Sequence, residues 1–214
     1  MRDAMKRQEG AVLLIALVML LVLTLLAVGS MRTVTLETRI TANRAQTVKL
    51  ENAADAGLRE AEFRYYGPGN IAEKLTPKAS NCETSNTLKS NGLNKPCLLS
   101  ITDEKLQDFI ESPWETNNEF LNGISQGGLI WMPYRGTDAA NVTAASSTHD
   151  VAWNSILAAE NPGAATNAEY GMTLEGRGTY FYLNNAKATP KAGTAGADLY
   201  LQSSHGNIYL GLNN

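Results

Sequence analysis

The chain has 214 residues, 43% of them apolar and 18% charged, with a formal net charge of −3. That length suits one membrane helix plus one modest domain, and the composition is that of a chain able to bury a core. Lys and Arg are scattered along it rather than clustered, which argues against nucleic acid as the main partner.

The N-terminus reads MRDAMKRQEG, short, polar and basic. An uncharged apolar run follows, Ala11 to Met31, whose only polar side chains are Thr24 and Ser30. At about 1.5 Å per residue the run is just long enough to cross a hydrocarbon core of roughly 30 Å. Arg2, Lys6 and Arg7 ahead of it favour an N-terminus kept in the cytoplasm, with the bulky remainder exported. Three fates are open to this segment. Cleavage before Ser30, after the small-x-small pattern Ala27-Val28-Gly29, would make it a signal peptide, but the run exceeds the roughly 7–15 apolar residues of such peptides. Without cleavage it is a plain anchor. Cleavage between Gly10 and Ala11 keeps the apolar helix in the mature chain. Gly10 stands at the polar/apolar boundary, where the missing side chain leaves the backbone open to a protease.

No proline occurs before Pro68, so the helix is expected to continue from Ala11 to Tyr66, roughly 84 Å at 1.5 Å per residue, with Gly29 as a loosening point. Leu36, Ile40, Thr47, Leu50, Ala54, Leu58, Ala61 and Tyr65 recur at three- and four-residue steps and define one face. Glu37, Arg44, Lys49, Glu51, Arg59, Glu60 and Glu62 are assigned to the remainder. Ala53, Ala54, Ala56 and Gly57 are small enough to let a sheet approach the axis closely. Gly67-Pro68-Gly69 is the expected stop.

Beyond the helix, Ile101 to Glu111 reads as a short helix capped by Thr102 or Asp103, and Trp114, after a proline, is expected to pack the connection. Cys82 and Cys97 would face an oxidising compartment after export, which predicts a disulfide closing a loop of about 15 residues and contributing about 3 kcal/mol. Two free buried thiols are the alternative. A zinc site is disfavoured because the remaining candidates, His149 and His205, lie far off in sequence. Strands are predicted at Gly128 to Tyr134, Tyr170 to Glu175, Gly178 to Asn184, Ala197 to Ser203 and Asn207 to Gly211, with a hairpin turn at Ser204 to Asn207 and a small polar loop at Asn184 to Gly196. Thr137 to Ser147 is similar in character. A long helix across such a sheet gives an α+β domain.

Catalytic and cofactor signatures are weak. His149-Asp150 has no nucleophile elbow to serve and reads as a polar surface turn before Val151. Gly176-Arg177-Gly178 lacks the third glycine of a dinucleotide loop and reads as a bend between strands. Asp103, Glu104 and Asp108 lack EF-hand spacing and read as helix-surface charge. Trp131, Trp153, Tyr180 and Tyr182 read as core or interface. No catalysis, cofactor or metal is expected.

The string RQEGAVLLIALVMLLVLTLLAVGSMRT, continuing through LETRITANRAQTVKLENAADAGLREAE, resembles the N-terminal region of PilX-type minor pilins of type IV pili over roughly residues 7 to 64. Gly171 to Gly178 and Ala197 to Ser203 are similar more loosely. The resemblance implies a pilin-like fold, with residues 1–10 a leader, 11–31 the membrane half of the helix, 32–66 its amphipathic half and 67–214 a periplasmic head. It implies cleavage by a prepilin peptidase after Gly10, leaving Ala11 as an N-terminus open to N-methylation. Storage would be in the inner membrane, single-pass, and then in an extracellular pilus. The implied partners are other minor pilins, the major pilin and a PilY-type tip adhesin. One position departs from the major pilins, which carry glutamate five residues into the mature chain; here it is Ile15. A buried carboxylate needs a partner, in that family the N-terminal amine of a neighbouring subunit. A subunit lacking it suits entry first, at or near the tip, where it starts assembly. A type II secretion pseudopilin shares this N-terminus, and a membrane-anchored periplasmic binding protein is the reading from another class.

Overall fold

The computed structural model describes residues 3–67, 69–89, 91–117, 120–121, 128–136, 146, 148–158, 177–192 and 196–210. The chain divides into two compact units, Met1–Val48 and Lys49–Asn214. One helix, α1 (Asp3–Phe63), contributes to both.

In the first unit α1 runs through Gly29 without a break, and every described side chain from Gly10 to Val48 is exposed. Leu36, Ile40 and Thr47, placed by periodicity on the packing face, are therefore uncovered within this unit. In the second unit the face does pack: Leu50, Ala53, Ala54, Gly57, Leu58 and Ala61 are buried, as is Tyr65 just beyond the helix. The helix closes with the N–H groups of Arg64, Tyr65 and Tyr66 bonding three residues back, and Gly67 takes a φ of 81°, the left-handed conformation that glycine adopts without strain.

The second unit also holds α2 (Ile71–Leu75), α3 (Asp103–Glu111) and four strands: β1 (Met132–Pro133), β2 (His149–Leu157), β3 (Arg177–Pro190) and β4 (Leu199–Leu210). They form one antiparallel sheet in the order β1-β2-β3-β4, each strand beside its predecessor in sequence. The end of α1 lies on one face, with Tyr65 Oη 2.5 Å from Ser155 Oγ and Ser203 Oγ donating to Glu62 Oε1 at 2.7 Å. The opposite face meets α3, where Gln202 Nε2 donates to the Phe109 carbonyl at 3.2 Å. The expected α+β class, a helix on an antiparallel sheet, is observed.

Several expected boundaries are corrected. Of Gly128 to Tyr134 only Met132 and Pro133 pair. The hairpin turn at Ser204 to Asn207 is absent: β4 runs straight through, with Gly206 opposite Phe181 and His205 opposite Tyr182. Asn184 to Pro190 are strand, not loop, because they pair along β2 up to His149. His149-Asp150 opens β2 rather than forming a turn, and β2 itself was not anticipated. Arg177 and Gly178 begin β3 rather than bend the chain. Trp114 is 55% exposed and does not bury the connection. The expected strand at Tyr170 to Glu175 lies outside the described residues.

The small residues on α1 do what their size implies. A Cβ built on Gly57 would stand 2.9 Å from Val151 Cγ1 and 3.1 Å from Ala186 Cβ. Gly57→Val is expected to lower stability by about 1–3 kcal/mol through overpacking, with Gly57→Ala smaller because better helix propensity offsets part of the clash. Urea unfolding followed by tryptophan fluorescence measures this; a Val variant as stable as the parent would contradict the close approach.

Candidate functional site: an apolar helix and a buried ionic node

From Gly10 onward α1 is long and apolar enough to cross a membrane, with a mean hydropathy of 3.2 over its most apolar window and none of that window buried. The two polar side chains of the run Ala11 to Met31 are both bonded within the helix. Thr24 Oγ1 donates to the Leu21 carbonyl at 2.8 Å and Ser30 Oγ to the Ala27 carbonyl at 3.0 Å. Bonding back onto the preceding turn satisfies hydroxyls that would otherwise face hydrocarbon unpaired. Gly10 and Ala11 are helical and exposed, and a Cβ on Gly10 would meet nothing within 4 Å. Ile15 is 57% exposed, one of a continuous series of apolar side chains. These three belong to the first unit. Cys82 and Cys97 belong to the second and are joined, with an S–S distance of 2.06 Å and their Cα atoms 4.7 Å apart. The expected disulfide is present, which removes the free-thiol alternative.

The loop this bridge closes reaches back to α1 through a node that the sequence reading missed. Glu60, assigned to the solvent side, is buried, and so is Arg64 one turn later. Their ion pair spans 3.1 Å. Glu60 Oε2 also accepts the backbone N–H groups of Arg135 (2.8 Å) and Gly136 (2.9 Å), just after β1. Arg64 donates to Asn86 Oδ1, to the Asn86 carbonyl and to the Lys95 carbonyl at 2.9, 2.9 and 3.1 Å, all within the disulfide loop. Its guanidinium carbon lies 5.0 Å over the Trp153 ring. Burial pulls the Arg64 pKa down while Glu60 holds it up. One pair thus joins helix, sheet and loop.

A second polar file crosses the sheet. The Tyr65 hydroxyl meets Ser155 Oγ, Ser155 donates to Asn184 Oδ1 at 2.7 Å, and Asn184 Nδ2 lies 2.8 Å from His205 Nδ1. The imidazole is stacked on Tyr182 at 5.0 Å, and burial lowers its pKa. Near the end of α1, Lys74 is fully buried and donates to the carbonyls of Tyr66 and Gly67 at 3.3 and 2.5 Å, satisfying acceptors that the helix terminus leaves over. Burial lowers its pKa from 10.5 to about 8. Between these values the unfolded chain holds a proton that the folded one has released, so stability rises with pH across this window, by about 3 kcal/mol in all. Below it the cost of the buried charge is fully present. Lys74→Met is expected to flatten that rise, read as the difference between the two proteins' urea midpoints at pH 7.5 and 10; parallel pH profiles would contradict it.

His149 and Asp150 do not work together. The imidazole is buried, with Nδ1 2.9 Å from Thr148 Oγ1, whereas the Asp150 carboxylate is exposed, 4.0 Å from Lys191. Among the described residues no three His, Cys, Asp or Glu side chains gather as a metal site would need. Asp103, Glu104 and Asp108 sit on exposed turns of α3.

Compared with known proteins, residues 9–59 match the family model described as PilX N-terminal. No curated protein and no solved structure matches the chain.

Proposed function

Proceeding from a PilX-type N-terminal region, we propose that the chain is a minor pilin of a type IV pilus that helps to start assembly at or near the tip. The observation that carries this is the apolar run Ala11 to Met31 of an unbroken helix, inside the matched segment and with both of its hydroxyls, those of Thr24 and Ser30, bonded to carbonyls of the same helix. A prepilin peptidase cleaves between Gly10 and Ala11. Residues 1–10 leave as the leader, 11–31 anchor the chain in the inner membrane, 32–66 follow as the amphipathic half, helical as far as Phe63, and 67–214 form a periplasmic head. The N-terminus enters from the cytoplasmic side. Assembly then draws the helix from lipid into the helix bundle of the pilus, an exchange between similarly apolar surroundings that packing decides. The partners are other minor pilins, the major pilin and a PilY-type tip adhesin.

Ile15 supports the place in the filament. It offers no carboxylate to the amine of a subunit already in position, which a first-entering subunit does not need. The disulfide fits a head that matures in an oxidising space.

N-terminal sequencing of the membrane-extracted protein tests the processing. Ala11 first is expected; Ser30 or Met1 first would overturn it. Ile15→Glu tests the placement. We expect the variant to be processed normally, to move from the tip into the shaft and to start at least fivefold fewer pili. Unchanged pilus number and position would remove the argument from Ile15.

A further inference from the structure

The sheet face turned away from α1 carries a cluster that no part of the pilus role uses. Strand register places it. Lys187 stands opposite Ala152 and Tyr200, and the next rung of the same face is Asn154, Asn185 and Gln202. Tyr200 meets Trp114 and Trp131 edge-on, with ring centroids 6.4 and 6.2 Å apart. Lys187 Nζ lies 4.4 Å over the Trp131 ring. This ammonium is half-buried, and among the described residues it makes no hydrogen bond or ion pair; Asp198 acts on it only from a distance. In the neighbouring rung Asn154 is fully buried with neither amide atom partnered, and Asn185 leaves its Nδ2 hydrogens unused.

We propose that Trp114, Tyr200 and Lys187 bind a carboxylated sugar, its ring against the exposed indole and its carboxylate on the ammonium. The chemistry on each side matches. The face of an indole is electron-rich, and the C–H groups on one side of a pyranose are weakly positive, so the two stack. An ammonium with unused donors calls for an anion, and a charge-assisted bond is stronger than a neutral one. Size separates a sugar from a protein partner. The aromatic step covers two ring-to-ring distances and is bordered along β4 by the polar Gln202 in the next rung. A stable protein interface needs about 800 Å² from each side around an apolar centre. A few rings beside isolated polar groups fit a small ligand.

The test uses the full chain in detergent micelles, titrated with methyl β-D-glucuronide and, in parallel, methyl β-D-glucoside, which carries an uncharged hydroxymethyl group in place of the carboxylate. Saturation-transfer NMR and tryptophan fluorescence read binding. The glucuronide is expected to bind saturably and at least tenfold more tightly than the glucoside. Trp114→Ala should abolish binding, and since Trp114 is 55% exposed its loss should leave the fold intact. Lys187→Gln should bring the glucuronide to the glucoside level, while Lys187→Arg keeps the preference. Added salt should weaken the parent's binding of the glucuronide and leave the glucoside unchanged, a readout that survives if Lys187→Gln fails to fold. Equal binding of both sugars, no saturable binding, or indifference to Trp114→Ala would overturn the proposal, and the last two would leave this face to a protein contact.

Discussion

Glu60→Ala is expected to destabilise the C-terminal unit by about 3–5 kcal/mol, the usual consequence of leaving one member of a buried ion pair behind. The loss goes beyond the pair. The N–H groups of Arg135 and Gly136 lose their acceptor, and the Arg64 guanidinium stays buried against Trp153 with only amide and carbonyl oxygens around it. Domains have only about 5–15 kcal/mol of stability in total, so the variant should unfold at markedly lower urea. Because Trp153 packs beneath the guanidinium, its fluorescence reports the transition. The double variant Glu60→Leu/Arg64→Met should recover much of the loss, since apolar residues of similar volume often replace a buried pair at little cost. A Glu60→Ala protein within about 1 kcal/mol of the parent would show that the node does not carry the contact between helix, sheet and loop.

Replacing both cysteines by serine is expected to lower stability by about 3 kcal/mol, the loop-entropy contribution of a bridge across 15 residues. The structural effect should be local at first. The bridged loop presents the Asn86 and Lys95 carbonyls to Arg64, so its loosening should raise amide exchange at residues 82–97 and at the end of α1 before it affects β3. Hydrogen exchange followed by mass spectrometry checks the order. Uniform exchange across the sheet would mean that the bridge acts on the whole unit and not through Arg64. Combining the serine pair with Glu60→Ala should give less than the sum of the two losses, because both act on Arg64.

The apolar run and the helix that continues it were legible because length and periodicity are strong signals that neighbours do not override. The disulfide was legible from compartment and spacing. The ionic node was not, and the reason is specific. Asp55–Arg59 and Glu60–Arg64 have the same i,i+4 spacing on the same helix, yet the first pair is 48% and 76% exposed and the second 1% and 0%. Spacing alone does not separate them. Phase does: Glu60 and Arg64 extend the stripe Ala53-Gly57 by steps of three and four, so they fall on the buried side, where a charged residue is the exception and needs a partner. β2 was missed because both of its faces are covered. Asn154 and Ser155 are buried beside Trp153 and Ile156, and the alternation that marks a half-exposed strand disappears. β4 was broken in error at Ser204 to Asn207, where residue types favour a turn. Gly206 instead makes room, since a Cβ there would lie 3.1 Å from the Phe181 ring.

Thr24 and Ser30 each turn their hydroxyl inward onto a carbonyl of the same helix. Both hydroxyls of a segment wired in this way keep their partners wherever it goes. Leaving one oily neighbourhood for another then requires no bond to be unmade and none to be found afresh, and only the fit of methyl groups against new neighbours distinguishes arrival from departure.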